Sequence, residues 1–393
     1  MTSQAPTTGE DLALVLTGGG ARAAYQVGLL AHIARRFPAV RFPILTGVSA
    51  GALNIAYLAA RRGPMAEAVR DLAALWRGLT PERIFRADAR SLGWNAMRWA
   101  TRLASGGLAP GAEVRGLLDT KPLRELLEST LAADDAGGLA GIEANLRQGA
   151  VSAVAVSTTS YSTEQSVVWV QGCQCQMWTR PQRKAVQGPL SVDHIMASVA
   201  LPFLFPAVRI GEGWHGDGGI RLTAPLSPAI HLGAGRILAI STRYLPTREE
   251  ADRPRVVAYP PPAQVAGTLL NAIFLDAIDE DALHLENVNA LLEQLPERRH
   301  KSLRRIELLV LRPSRDLGAV ALEYERRLPP AVRFMTRGLG AHETLSADLL
   351  SLLLFQPDYL SRIIEIGEAD AEASADEIAA LLAPRTTPAA SGC

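Results

Sequence analysis

From Leu12 to Thr17 the chain is a short unbroken apolar run that stops on three consecutive glycines, Gly18, Gly19 and Gly20. Such a run suits a strand covered on both faces rather than one with a wet side. Apolar residues then recur at helical spacing from Ala21 to Phe37. A second short run closes on Ile44 and Leu45 before Gly47, and Ala50 to Ala60 is helical again until Gly63 and Pro64. Strand, helix, strand, helix in this order constrains the chain to an α/β domain with a mainly parallel central sheet. Later apolar runs at Val151–Val156, Val167–Val170 and Ile237–Ile240 alternate with helix-like segments. The expected architecture therefore has three layers, αβα, with helices on both faces of the sheet.

Between Gly63 and Gly149 the pattern turns helical and irregular, and 64–150 reads as a helical cap or insertion beside the sheet. A second boundary falls between Leu245 and Pro262, where charge gives way to Pro260, Pro261 and Pro262. The chain divides accordingly into a flexible start (1–11), an α/β domain (12–245), a mostly helical C-terminal extension (246–383) and a small, polar, disordered tail (384–393). Within the extension, Ile306–Leu311 is strand-like. The most apolar late stretch, Ala263–Ile278, is interrupted by Asp276 and falls short of the roughly 20 residues that a spanning helix needs, so it reads as a buried helix.

Forty Lys and Arg balance forty Asp and Glu, so no global field draws the protein to nucleic acid. Any membrane affinity must be local. The segment 83–103 offers it, with Arg83, Arg86, Arg90, Arg98 and Arg102 against Asp88 and with Leu92, Trp94, Met97 and Trp99 interleaved. It is expected either to lie peripherally on an anionic membrane or to pack its tryptophans inward as a cap. The start of the chain lacks the basic-then-apolar order of a secretory signal, and the expected location is cytoplasmic. Cys173, Cys175 and Cys393 form neither a disulfide framework nor a zinc pattern, which fits a reducing compartment.

Gly47-Val48-Ser49-Ala50-Gly51 is a G-x-S-x-G sequence between a strand-like and a helical run, the context of a nucleophile elbow. Gly47 and Gly51 permit the sharp turn that projects the Ser49 hydroxyl. The loop Gly18-Gly19-Gly20-Ala21-Arg22 leaves backbone N–H groups uncovered at a helix start and suits an anion. It lacks the Gly-Lys-Ser/Thr ending of a phosphate loop, and no Asp or Glu occurs between Asp11 and Glu67 to hold a dinucleotide ribose. With a nucleophile at the next strand end, an oxyanion hole is the consistent reading. Arg22 holds the loop, pairs with a substrate phosphate, or is simply a solvated helix arginine. A third element, Gly216-Asp217-Gly218-Gly219, sets an acid among glycines, where another side chain can approach it closely.

Together and in this order the three elements resemble the patatin-like phospholipase family, whose marks are a G-G-G-x-[RK]-G loop, a G-x-S-x-G elbow and a D-G-[GA] turn. Gly116–Thr120 with Pro122-Leu123, and Ala197–Pro202 running into Phe205-Pro206, add to the likeness, which covers roughly Leu12 to Thr242. Ala23 departs from the usual glycine. The resemblance implies a patatin-like catalytic domain over 12–245 and a Ser-Asp dyad for lipid acyl hydrolysis: Asp217 takes the proton of Ser49, the glycine loop stabilises the oxyanion, and water cleaves the acyl-enzyme. Side chains and backbone fill every role, so neither cofactor nor metal is expected, and the partner is a lipid or acyl-ester substrate. Two other functions compete. Acyltransferases and thioesterases of similar fold place His just before the serine, where this chain has Val48. A non-catalytic acyl-lipid-binding module would lack Ser49 or Asp217. For the base itself, a Ser-His-Asp triad would recruit His194, His215, His231 or His284.

Overall fold

The computed structural model describes residues 11–383 apart from short stretches, chiefly 87–92, 107–115, 132–136, 253–258 and 326–347. The N-terminal residues 1–10 and the tail 384–393, expected to be disordered, lie outside the described residues, as do Arg90, Leu92, Trp99 and Arg102. Among the described residues ten strands form one sheet: β1 (Asp11–Leu16), β2 (Ile44–Val48), β3 (Ala153–Ser160), β4 (Ser166–Gly172), β5 (Thr179–Arg180), β6 (Arg183–Gln187), β7 (Val208–Ile210), β8 (Gly213–Asp217), β9 (Ala234–Ile240) and β10 (Glu307–Leu311). The order is β10-β9-β1-β2-β3-β4-β6-β5, with the β7–β8 hairpin attached through β8 to β3. The five strands from β10 to β3 run parallel, and antiparallel pairs enter at β3–β4, β3–β8, β5–β6 and β7–β8.

Side-chain alternation along β1 explains the layers. Leu12, Leu14 and Leu16 point into the larger core with α1 (Ala24–Arg36), α2 (Ala50–Ala60), α3 (Met65–Arg77) and the helix Pro357–Ala373. Ala13 and Val15 point the other way, into a smaller core with the helices Ser227–His231 and Ala277–Gln294. A strand apolar at every position belongs between two such layers. The C-terminal extension enters the same body, because β10 pairs with β9 and Pro357–Ala373 packs along α1.

That helix contact depends on two glycines. A Cβ on Gly28 would strike the Ile364 carbonyl, and one on Gly367 would strike the Tyr25 carbonyl. Small residues at both positions let the two backbones touch, which orients the extension against the domain.

Two expectations change. The stretch Ala263–Ile278 is not one buried helix: it belongs to Pro262–Phe274 and Ala277–Gln294, and Val265 and Leu269 are exposed. Val265 and Leu269 lie one turn apart and so share the uncovered side of their helix. Cys173 and Cys175 are joined by a disulfide just after β4, where Gly172 takes φ 106° and turns the chain. A spacing of one residue carries no framework signal in a sequence, and the local turn brings the sulfurs together. Among the described residues no helix is long and apolar enough to cross a membrane.

Gly28→Ala tests the helix contact. The added methyl meets a backbone carbonyl that cannot rotate away, so overpacking near the upper end of about 3 kcal/mol outweighs the roughly 1 kcal/mol of helix propensity gained. The expected net loss is about 2 kcal/mol, read from the urea unfolding midpoint at unchanged slope.

Candidate active site

The site is built where two strands meet end to end on one edge of β3. Val48, the last residue of β2, lies opposite Ser157, and Asp217, the last residue of β8, lies opposite Thr158. Ser49 follows Val48 directly, so the register of β3 brings the elbow beside the acid.

Ser49 adopts φ 54° and ψ −132°, a conformation that costs a non-glycine residue energy and persists only where its surroundings dictate it. They do so here. The Ser49 N–H donates to Ser198 Oγ at 2.9 Å, and the Ser198 hydroxyl donates to the Ser157 carbonyl at 2.7 Å. A Cβ on Gly47 would stand 2.7 Å from the Gly51 carbonyl, and one on Gly51 would strike the Leu16 carbonyl. The helix Val192–Ser198 and the turn after it also hold the other half of the site, because the Asp217 N–H donates to the Ala200 carbonyl at 3.1 Å.

The glycine loop lies against the serine. A Cβ on Gly18 would come within 2.9 Å of Ser49 Cβ and 3.5 Å of its Oγ. The N–H groups of Gly18 and Gly19 enter no hydrogen bond among the described residues, and Gly20 and Ala21 open a single 3₁₀ turn, which leaves its first donors without partners inside the turn. The Arg22 N–H is different, since it donates to the Gly19 carbonyl at 3.0 Å. Its side chain also leaves the site. Buried, it donates from Nε to Ser351 Oγ at 2.6 Å and pairs with the Asp348 carboxylate at 2.7 Å. Of the three readings of Arg22, the structure has it holding the loop, against the C-terminal extension. A buried polar chain anchors the loop from below: Gln26 Nε2 donates to the Thr17 carbonyl at 2.8 Å, Asn54 Nδ2 to Gln26 Oε1 at 3.0 Å, and the Trp76 indole to Asn54 Oδ1 at 2.8 Å.

Asp217 is fully buried. Its Oδ1 accepts the Gly219 N–H at 2.9 Å, and a Cβ on Gly218 would strike the Ser157 carbonyl, so the D-G-G turn packs backbone on backbone. Burial pushes its carboxyl up to about 7, while the Ser49 hydroxyl and the Gly219 N–H pull in the opposite direction. The hydroxyl lies close enough to favour the ionised form without completing a hydrogen bond, and Oδ2 remains buried without a partner among the described residues.

No described histidine bonds to Ser49 or Asp217. His215 Nδ1 is 3.2 Å from Thr158 Oγ, His194 joins the capping box of its helix, and His231 stacks on Trp178. No group of three potential metal ligands occurs among the described residues. Arranged in this way, a strained serine, an unpaired buried carboxylate and free loop donors suit nucleophilic attack on a carbonyl.

Residues 14–230, more than half of the chain, match the family model described as patatin-like phospholipase. The chain belongs to that family. No curated protein matches the sequence. Among solved structures the patatin-like chain is similar to VipD from Legionella pneumophila (14% identity, TM-score 0.37, covering 95% of this chain and 67% of that one). It is also similar to human GIVD cytosolic phospholipase A2 (11%, 0.47, 95% and 60%) and to the type III effector protein ExoU (12%, 0.36, 95% and 53%). It thus spans between 53% and 67% of the length of these three structures.

Several residues that build this patatin-like site carry no sequence signal. Ser198 lies within the run Ala197–Pro202 with nothing local to mark its contact with Ser49, and Thr242, whose hydroxyl donates to the Gly18 carbonyl at 2.6 Å, is one threonine after a strand. An apolar cavity beside Ser49 and Gly20 is lined by residues scattered over the chain, including Leu53, Trp76, Leu201 and Phe205, and by Leu352 and Phe355 from the extension.

The Asp217 environment predicts a pH-dependent stability. Its folded value near 7 lies above the unfolded value of about 3.9, so the native state binds the proton more tightly. Stability from this group is complete below about pH 4 and is lost as pH rises through 7. Asp217→Asn removes the ionisation, so its melting temperature should exceed that of the wild type at pH 8, and the gap should shrink at pH 4.

Proposed function

We propose that this protein, whose membership of the patatin-like phospholipase family implies a lipid ester hydrolase, is a lipid acyl hydrolase in which Ser49 and Asp217 act as a dyad. The observation that carries the reading is the unpaired, buried Asp217 Oδ2 beside a serine held at positive φ. A carboxylate near pH 7 in proton affinity is matched to general-base work at neutral pH.

In the proposed sequence, Asp217 accepts the Ser49 proton while Oγ forms a bond to the substrate carbonyl carbon. The developing oxyanion takes hydrogen bonds from the free N–H groups of the loop Gly18–Ala21, where the N–H of Arg22 is already used. Collapse breaks the bond to the leaving alcohol, which takes its proton from Asp217. Water then gives a proton to Asp217 and attacks the acyl-enzyme. As the second tetrahedral species collapses, the proton returns to Ser49 Oγ and the carboxylic acid leaves.

The segment 83–103 contributes in two directions. Ile84 and Phe85 are buried, and Ile84 lines the cavity beside Ser49. Trp94 and Met97, 63% and 62% exposed, face solvent, which supports contact with a lipid surface rather than an inward-packed cap at those two positions.

Ser49→Ala and Asp217→Asn should each lose nearly all turnover of a p-nitrophenyl ester, at least 10²-fold, and remain folded by circular dichroism. A folded His194→Ala or His215→Ala protein should keep turnover within about tenfold; an equal loss there would replace the dyad with a triad. Wild-type kcat/KM should rise with pH around a midpoint near 7, because only ionised Asp217 can accept the proton. For the lipid surface, Trp94→Ala should weaken sedimentation with anionic vesicles while leaving hydrolysis of a soluble ester unchanged; equal loss of both would return Trp94 to the cap.

A further inference from the structure

The apolar cavity beside Ser49 is narrow: the centre of a water molecule can range over only about 30 Å³ of it. An acyl chain entering it must press against its walls, so the wall residues decide how long a chain fits. Most of those walls, among them Leu53 of α2, Trp76 of α3 and Val199 and Leu201 after Ser198, come from inside the family-matched span 14–230. Leu352 and Phe355 do not. They come from the end of the helix Asp348–Leu353 and the residues after it, more than a hundred positions beyond that span.

Three observations fix this late segment against the catalytic loop. Arg22 pairs with Asp348 and bonds Ser351, with both ionic side chains more than nine-tenths buried. Gly20 meets the Leu352 carbonyl so closely that a Cβ there would collide with it. The Phe355 ring stacks on Trp76, with centroids 6.4 Å apart and planes at 27°, and Trp76 is itself held by Asn54. Leu352 and Phe355 are therefore rigid parts of the wall, with 3% and 7% exposure.

We propose that Leu352 and Phe355 set the upper limit of acyl-chain length that Ser49 accepts. This rests on the reading of Ser49 as the nucleophile. Discrimination of one methylene in an apolar pocket is worth about 10- to 200-fold, so removing a ring from the wall has a readable effect.

The experiment measures kcat/KM on p-nitrophenyl acetate, butyrate, octanoate and palmitate for wild type, Phe355→Ala, Leu352→Ala and the milder Phe355→Leu, each with and without Ser49→Ala. The expected result is Ser49-dependent hydrolysis whose optimum moves to longer chains in Phe355→Ala, with the octanoate-to-acetate ratio rising at least tenfold. Leu352→Ala and Phe355→Leu should shift the same ratio in the same direction by less. If Phe355→Ala fails to fold, the ratio in Phe355→Leu decides. A Ser49-dependent protein whose chain-length ratios are unchanged in the folded variants overturns this proposal alone. Full turnover after Ser49→Ala overturns the dyad and this proposal with it.

Discussion

The site depends on the register of β3. β2 and β8 approach β3 from opposite directions along one edge and stop at neighbouring positions, opposite Ser157 and Thr158. Side chains alternate faces along a strand, so a slip of one residue in either pairing would turn Asp217 away from Ser49. The turn after Ser198 reinforces that junction from one side. It receives the N–H of Ser49 on Ser198 Oγ and the N–H of Asp217 on the Ala200 carbonyl, tying both strand ends to one element. The glycines around the junction follow from the same geometry, since Gly18, Gly51 and Gly218 each touch a neighbouring segment where a side chain has no room.

This junction conflicts with stability. A buried carboxyl oxygen without a partner and a serine at positive φ are both unfavourable for folding. The surrounding core offsets them: Leu14, Leu16, Leu29, Leu30 and Ile33, all essentially inaccessible, pack the larger face of the sheet. The polar chain from Thr17 through Gln26 and Asn54 to Trp76 satisfies buried groups that would otherwise add to the cost, and it links the loop, α1, α2 and α3 in one network. In the proposed mechanism the disfavoured groups are the reactive ones, which is where local strain and desolvation serve chemistry.

The C-terminal extension takes part in both respects. It adds β10 to the sheet edge, lays a helix along α1 through Gly28 and Gly367, and buries the Arg22–Asp348 pair. Removing one partner of such a pair would leave an uncompensated charge in the interior, a loss of about 3–5 kcal/mol. Arg22 therefore serves the loop by anchoring it, and it does not line the cavity beside Ser49.

The sequence by itself determined whatever is local. The apolar run Leu12–Thr17, the glycines after it and the elbow around Ser49 are readable because a strand, a tight turn and a helix start are each specified within a few residues. The α/β class with its mainly parallel sheet followed from the order of those units, and the three motifs together pointed to the family. Only the tertiary structure decided what lies between distant positions. Asp217 is an ordinary Asp-Gly turn until β8 pairs with β3 beside β2, and Arg22 reads as a solvated arginine until Asp348 arrives 326 positions later. The Cys173–Cys175 bond waited on the turn at Gly172, and the exposed faces of Val265 and Leu269 on how the helix Pro262–Phe274 docks. Leu352 and Phe355 carry no pattern of their own. Any apolar residue reads alike in sequence, and only packing decides whether it fills a core or lines the cavity beside a nucleophile.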